Sequence, residues 1–167
     1  MTNIRLYDYQ IEMKERIEAA FRSCRSVMVQ MPTGTGKTHV LASVVMDEMQ
    51  GVNNACVWIV AHRRELVEQI EASLVCQSGL ACSESQFSFI KVMSIQWLSK
   101  HHGELDEKPS LIVIDEAHHA LARTYAEVMN AYPEAKKLGV TATPCRLNMK
   151  GFSDLFDAVV VFQEIHC

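Results

Sequence analysis

The stretch Ser26–Gly51, SVMVQMPTGTGKTHVLASVVMDEMQG, changes character twice along its length. SVMVQM (26–31) is a short, almost continuously apolar run, the pattern of a strand buried on both faces. Pro32 ends that run, and Gly34 and Gly36 follow, residues that open backbone conformations closed to other side chains. THVLASVVMDEMQ (38–50) then carries apolar residues at helical spacing, with Gly51 expected to stop the helix. Strand, glycine loop and helix in that order open an α/β unit.

The rest of the chain repeats the alternation. Upstream, IRLYDYQIEMKERIEAAF (4–21) carries apolar residues at roughly helical spacing after Asp8. Downstream, ACVWIVA (55–61) is a second buried strand and RRELVEQIEASLV (63–75) a second amphipathic helix. FSFIKVM (87–93) is a third strand, with a short helix over SIQWLSK (94–100). LIVI (111–114) is a fourth strand and AHHALARTYAEVMNAY (117–132) the helix after it. KLGVTAT (137–143) and FDAVVVF (156–162) supply a fifth and a sixth strand. Helices between short apolar strands imply a mainly parallel sheet covered on both faces, a three-layer α/β/α domain. No repeat, low-complexity tract or Pro/Ser-rich linker interrupts the pattern, so residues 1–167 read as one domain.

Composition bounds the function classes. The chain has 167 residues, 49% hydrophobic and 22% charged, and suits a globular protein that buries about two thirds of its unfolded surface. Its apolar runs are too short to span a bilayer, and MTNIRLYDYQ at the start has no apolar signal core. Six cysteines without a CxxC pair point to reduced thiols, hence to a cytoplasmic or nuclear setting, and away from a zinc site. The net charge of −4 excludes a protein basic over its whole surface, while leaving room for a local nucleic-acid groove.

MPTGTGKT (31–38) can now be weighed as chemistry. The phosphate-loop pattern asks for glycine, four variable residues, then Gly-Lys-Ser/Thr between a strand and a helix. Gly36, Lys37 and Thr38 meet its end, and Met31 departs from its first glycine. Backbone N–H groups of Gly34 to Thr38, with Thr33 and Thr35 in the loop, can form a phosphate nest at a helix N-terminus. Lys37 would reach the β- and γ-phosphates and Thr38 would ligate Mg²⁺. The plain alternative is a glycine turn with a solvated lysine. LIVIDEAHH (111–119) ends a strand in adjacent carboxylates, where parallel sheets bind ligands. Asp115 suits a Mg²⁺-associated acid and Glu116 a base that orients water, although an isolated Asp-Glu pair is usually a solvated strand end or helix cap. Together with Lys37 and Thr38, the pair points to a nucleoside triphosphate site.

TGTGKT, DEAH and VTATP, in that order, resemble the first motor domain of a superfamily 2 helicase or translocase of the DEAH/restriction type. The resemblance runs from Tyr7 to about Phe162 and implies a RecA-like ATP-binding domain. LYDYQ (6–10) resembles an adenine-recognition motif, with Gln10 as the bidentate partner of adenine and Tyr7 as a stacking residue; Asp8 stands where proline is common. VAHRRELVEQ (60–69) resembles a motif that touches the nucleic-acid backbone, on Ala61, His62, Arg63 and Arg64. VMSIQWL (92–98) resembles a second such motif, on Ser94 and Gln96. His118, Thr141 and Thr143 match residues that couple the nucleotide site to strand binding. The adjacent His118 and His119 make a poor metal pair, being about 100° apart on a helix. Lys100 to His102 reads as a solvated helix end, and Met28, Met31, Met46 and Met49 as core filling.

The resemblance implies ATP and Mg²⁺ as cofactors and nucleic acid as partner, with DNA ahead of RNA. It also implies a second RecA-like domain, since the chain has one phosphate loop and ends at VVFQEIHC (160–167), where the link to that domain would begin. Two other classes stay open: a different P-loop enzyme such as a small-molecule kinase, and a docking module that keeps the fold without hydrolysis.

Overall fold

The computed structural model describes residues 6–61, 89–115, 123–142 and 156–162. The expected helix over 63–75 and the first residues of the one over 117–132 lie outside them, as does the strand end at Thr143. The described elements follow the expected alternation: α1 (Asp8–Phe21), β1 (Ser26–Gln30), α2 (Lys37–Gly51), β2 (Val57–Ala61), β3 (Ile90–Ser94), α3 (Ile95–His101), β4 (Leu111–Asp115), α4 (Arg123–Ala131), β5 (Lys136–Thr141) and β6 (Ala158–Val161). A 3₁₀ turn over His102–Glu104 follows α3. Gly51 is the last helical residue of α2 and the extended Val52 caps it, so the helix ends one residue later than glycine chemistry suggests.

The strands form one sheet in the order β3-β2-β4-β5-β1-β6, parallel throughout. Strand alternation sorts their side chains into two cores. On one face Val27, Val29, Leu111, Val113, Leu138 and Val140 meet α1 (Met13, Ile17) and α2 (Val40, Leu41, Val45). On the other Met28, Trp58, Ile112 and Ile114 meet α3 (Ile95, Leu98) and α4 (Tyr125, Val128, Met129). Burial on both faces explains why the strands read as unbroken apolar runs rather than as alternating ones. The architecture is a three-layer RecA-like α/β/α fold.

Met28 and Met31 are fully buried, and Met49 packs against the first core. At Met31 this removes the apparent flaw in the loop motif. Its side chain is core, and its N–H continues the sheet by donating to the Thr141 carbonyl at 3.0 Å. Its backbone is not left-handed, so position 31 makes no demand for glycine.

Leu138 sits at the centre of this arrangement, fully buried on β5 between β4 and β1. Leu138→Ala is expected to lower the unfolding free energy by about 2–5 kcal/mol through lost transfer energy and a residual cavity. Urea denaturation of the intact protein measures it, and a loss under about 1 kcal/mol would mean the core collapses around the site.

Candidate functional site

Strand register sets the site's geometry. Val29 and Gln30 of β1 pair with Val140 and Thr141 of β5, and Asp115 of β4 pairs with Val140 from the other side. Asp115 therefore lies level with the end of β1, two strands or roughly 10 Å away. Alternation gives Asp115 the parity of Leu111 and Val113, whose side chains face α2. Asp115 is buried, with 5% of its surface exposed. The chain leaves β1 toward β2 on one side, while β4 and β5 continue toward the other. Where strand connections run in opposite directions, open parallel sheets take ligands beyond the carboxyl ends of their strands.

The loop follows the carboxyl end of β1. Thr33 and Gly34 are exposed, and Thr35, Gly36, Lys37 and Thr38 are half-buried. Thr35 closes a turn, its hydroxyl and N–H donating to the Pro32 carbonyl at 2.6 and 3.4 Å. Gly34 (φ 86°) and Gly36 (φ 75°) both adopt left-handed backbone, and Gly36 is the N-cap of α2. From there α2 begins with Lys37 and Thr38 as its first two residues, so both lie at the positive end of the helix dipole.

Gln10 braces the loop from behind. It is only 3% exposed. Its Oε1 accepts from the Tyr7 N–H at 3.0 Å, closing the start of α1, and its Nε2 donates to the Thr35 carbonyl at 3.1 Å. Nε2 also donates to the Tyr9 hydroxyl at 3.5 Å, so both of its hydrogens are engaged and only Oε1 keeps a lone pair. Tyr7 is 69% exposed, stacked parallel on Tyr9 at 5.8 Å, and Tyr9 meets Phe162 edge-on. The adenine-motif residues thus gather beside the phosphate loop.

The remaining residues divide. Thr141 is fully buried at the end of β5, between Asp115 and the loop. Ser94 and Gln96 lie at the end of β3, four strands from β1 or roughly 19 Å, on the same edge of the sheet. Ser94 accepts the Trp97 N–H at 3.2 Å as N-cap of α3, and Gln96 is exposed. Ala61 pairs with Ser94. Glu116, His62, Arg63, Arg64, His118 and Thr143 lie outside the described residues. The reading of 100–102 as a solvated end needs correction. Only Lys100 is exposed: the His101 ring stacks on Trp97, and the Tyr132 hydroxyl donates to the His102 carbonyl at 2.7 Å.

Two features escaped sequence reasoning. Tyr125 of α4 is buried, and its hydroxyl has no hydrogen-bond partner among the described residues. Burial first, and then the charge on Asp115, push its pKa up to about 12. Elsewhere a cavity of about 340 Å³ opens at the opposite edge of the sheet, lined by Glu18, Phe21, Asp47, Glu48, Leu111 and Lys136. Leu111 and Lys136 begin β4 and β5, so this cavity is remote from the loop.

A RecA-like sheet that sets a phosphate loop after β1 and an acidic residue at the end of β4 defines the ATP-binding domain of superfamily 2 helicases and translocases. Residues 3–146 match the family described as type III restriction enzyme, res subunit, and the chain belongs to that family. It is 30% identical over 133 residues to a 51.5 kDa protein of a Lactococcus phage (isolate 7-9), covering 80% of this chain and 27% of that protein. The DNA 3'-5' translocase XPB2 of Sulfurisphaera tokodaii is 29% identical over 148 residues, covering 86% of this chain and 32% of the relative. The chain thus spans a quarter to a third of these relatives' length. Among solved structures, a nuclease-deletion mutant of the Type ISP restriction-modification enzyme LlaGI, in complex with a DNA substrate mimic, aligns with a TM-score of 0.75. Identity there is 18%, over 96% of this chain and 20% of that one. No helix among the described residues is long and apolar enough to cross a membrane.

The two loop glycines are not equivalent. A methyl group at Gly36 would overlap Gln10 Nε2, while one at Gly34 meets nothing within 4 Å. Gly34→Ala should cost about 1–2 kcal/mol of backbone strain only. Gly36→Ala adds displacement of Gln10 and should weaken nucleotide binding more strongly, as titration with a fluorescent ATP analogue would measure. Equal effects of the two would exclude the Gln10 brace.

Tyr125→Phe removes a buried hydroxyl that has no hydrogen-bond partner among the described residues. It should raise the unfolding free energy by about 1 kcal/mol in urea melts, and a loss of that size would reveal a hydrogen bond.

Proposed function

We propose that this chain is the ATP-hydrolysing domain of a nucleic-acid motor, coupling hydrolysis to movement along a strand, with DNA ahead of RNA as the track. The observation that carries the reading is the left-handed Gly36 loop opening α2 level with the buried Asp115. Backbone N–H groups of the loop and the Lys37 ammonium hold the triphosphate, where the helix N-terminus favours negative charge. The donor set also fits a magnesium ion: the Thr38 hydroxyl and the Asp115 carboxylate are both hard oxygen ligands. Such an ion would neutralise charge on the β- and γ-phosphates. Glu116, next to Asp115, is the base that orients the attacking water. Tyr7 stacks on the adenine, and Gln10 reads its edge, its Nε2 exchanging the long Tyr9 contact for the base.

His62, Arg63 and Arg64, together with Ser94 and Gln96, form the strand track, and His118, Thr141 and Thr143 link it to the nucleotide. A second RecA-like domain completes the ATP site by supplying positive charge to the transferring phosphate, a contribution of about 10³–10⁵ in rate. A docking module without hydrolysis is disfavoured, because it has no use for a buried carboxylate beside a phosphate loop.

The test is ATP hydrolysis by the full-length protein, with and without single-stranded and duplex DNA or RNA. Hydrolysis should rise with nucleic acid, and more with DNA. Lys37→Ala should weaken nucleotide binding and abolish hydrolysis. Glu116→Gln should retain binding and slow hydrolysis by about 10²–10⁴-fold, since an amide cannot take the water's proton. Unimpaired hydrolysis by Glu116→Gln would remove Glu116 as the base, and no hydrolysis by the wild-type protein under any condition would return the docking reading.

A further inference from the structure

We propose that Trp97, backed by His101, is a stacking platform for a nucleobase of single-stranded nucleic acid. The inference rests on the motor reading above and adds a contact to bases where that reading has contacts to the backbone only. Large aromatic side chains are ordinarily drawn into cores, and Trp58, the other tryptophan, is fully buried. Trp97 instead is 44% exposed. Its ring is fixed: the His101 ring lies against one side, with centroids 4.5 Å apart and planes 14° from parallel. His101 is held by a 2.8 Å bond between its Nδ1 and the Trp97 carbonyl, a contact in which the nitrogen must donate. At the other end, Ser94 caps the Trp97 N–H. An indole stacked on one side and accessible elsewhere is prepared to receive a second flat ring.

The neighbourhood selects a nucleic-acid base as that ring. The exposed residues of α3 are Gln96, Trp97 and Lys100, so a lysine stands beside the indole and the helix carries no acid. The next acids in the sequence, Glu104, Asp106 and Glu107, follow the helix, and Glu107 is paired with Lys91 at 2.5 Å. Aromatic rings interleaved with positive charge are how single strands are held without sequence preference. The platform also stands on the edge shared by the loop and Asp115. Ser94 lies beside Ala61, the residue that leads into His62, Arg63 and Arg64.

The experiment titrates the intact protein with oligothymidylate, an abasic strand of equal length and a duplex, each at two salt concentrations. Trp97→Ala should weaken oligothymidylate binding about 5- to 150-fold. The salt slope should stay unchanged, because stacking releases no counterions. The abasic strand should bind wild type and variant alike, and the duplex, whose bases are already stacked, should be affected less. Trp97→Phe should recover most of the affinity, and an unchanged thermal midpoint in both variants excludes a folding defect. Binding should quench tryptophan fluorescence in the wild type and not in Trp97→Phe. Unchanged affinity in Trp97→Ala, a reduced salt slope, or equal losses on the abasic strand would each overturn the platform while leaving the motor reading intact. Failure of the wild-type protein to bind any of the three would overturn both.

Discussion

The register of three adjacent strands, β4, β5 and β1, fixes everything functional in this domain. Asp115 opposes Val140, Val140 opposes Val29, and the ladder continues through Gln30 to the Met31 N–H and the Thr141 carbonyl. Because side chains alternate between faces, a slip of one residue would turn Asp115 away from α2 and drive the apolar set of that strand to the wrong side. The hydrophobic cores above and below resist such a slip, since both faces of each strand are already matched to particular helices. The placement of a carboxylate opposite a phosphate loop is thus a by-product of core packing, and the site inherits the stiffness of the core.

The loop itself depends on a different kind of constraint. Gly36 is left-handed and lies so near the Gln10 amide that no side chain fits between them. Gln10 in turn closes the first turn of α1 through the Tyr7 N–H. One side chain therefore ties the start of α1 to the carbonyl of Thr35, a residue distant in sequence. A loop rich in glycine loses much conformational entropy when it adopts one shape, and a buried amide with both ends bonded offsets part of that cost. Any ligand that pulls the Thr35 peptide toward itself must also move α1 or break this bond.

Much of this was legible in the sequence because it arises from local pattern. The apolar runs at 26–31, 55–61 and 111–114 gave strands, and Gly34-Thr-Gly36-Lys37-Thr38 gave the loop, because parallel strands and phosphate nests each leave a composition signature. What stayed hidden depends on contacts between distant segments. Met31 looked like a departure from the motif, and only its burial shows that the position needs a core side chain rather than a glycine. Lys100 to His102 looked like a solvated run, because nothing local announces that Tyr132 and Trp97 take up two of the three residues. Likewise Gln10 could be singled out by motif, whereas its bond to Thr35 required the fold.

Distance sets the last condition on how such a domain could work as a motor. The loop follows β1 and the platform follows β3, with β5, β4 and β2 between them, roughly 19 Å of sheet. Those intervening strands are buried on both faces, and close-packed interiors transmit force without changing shape easily. A sheet of this kind holds two sites at a fixed separation and does not by itself move one relative to the other. Coupling by population shift needs an element with two arrangements whose balance both sites bias. Within the sheet, the strand ends are where such an element can attach, and Thr141 on β5 stands between the two sites. Under the function proposed above, strand movement would therefore need a second body that bridges the edge carrying the loop, Asp115 and α3.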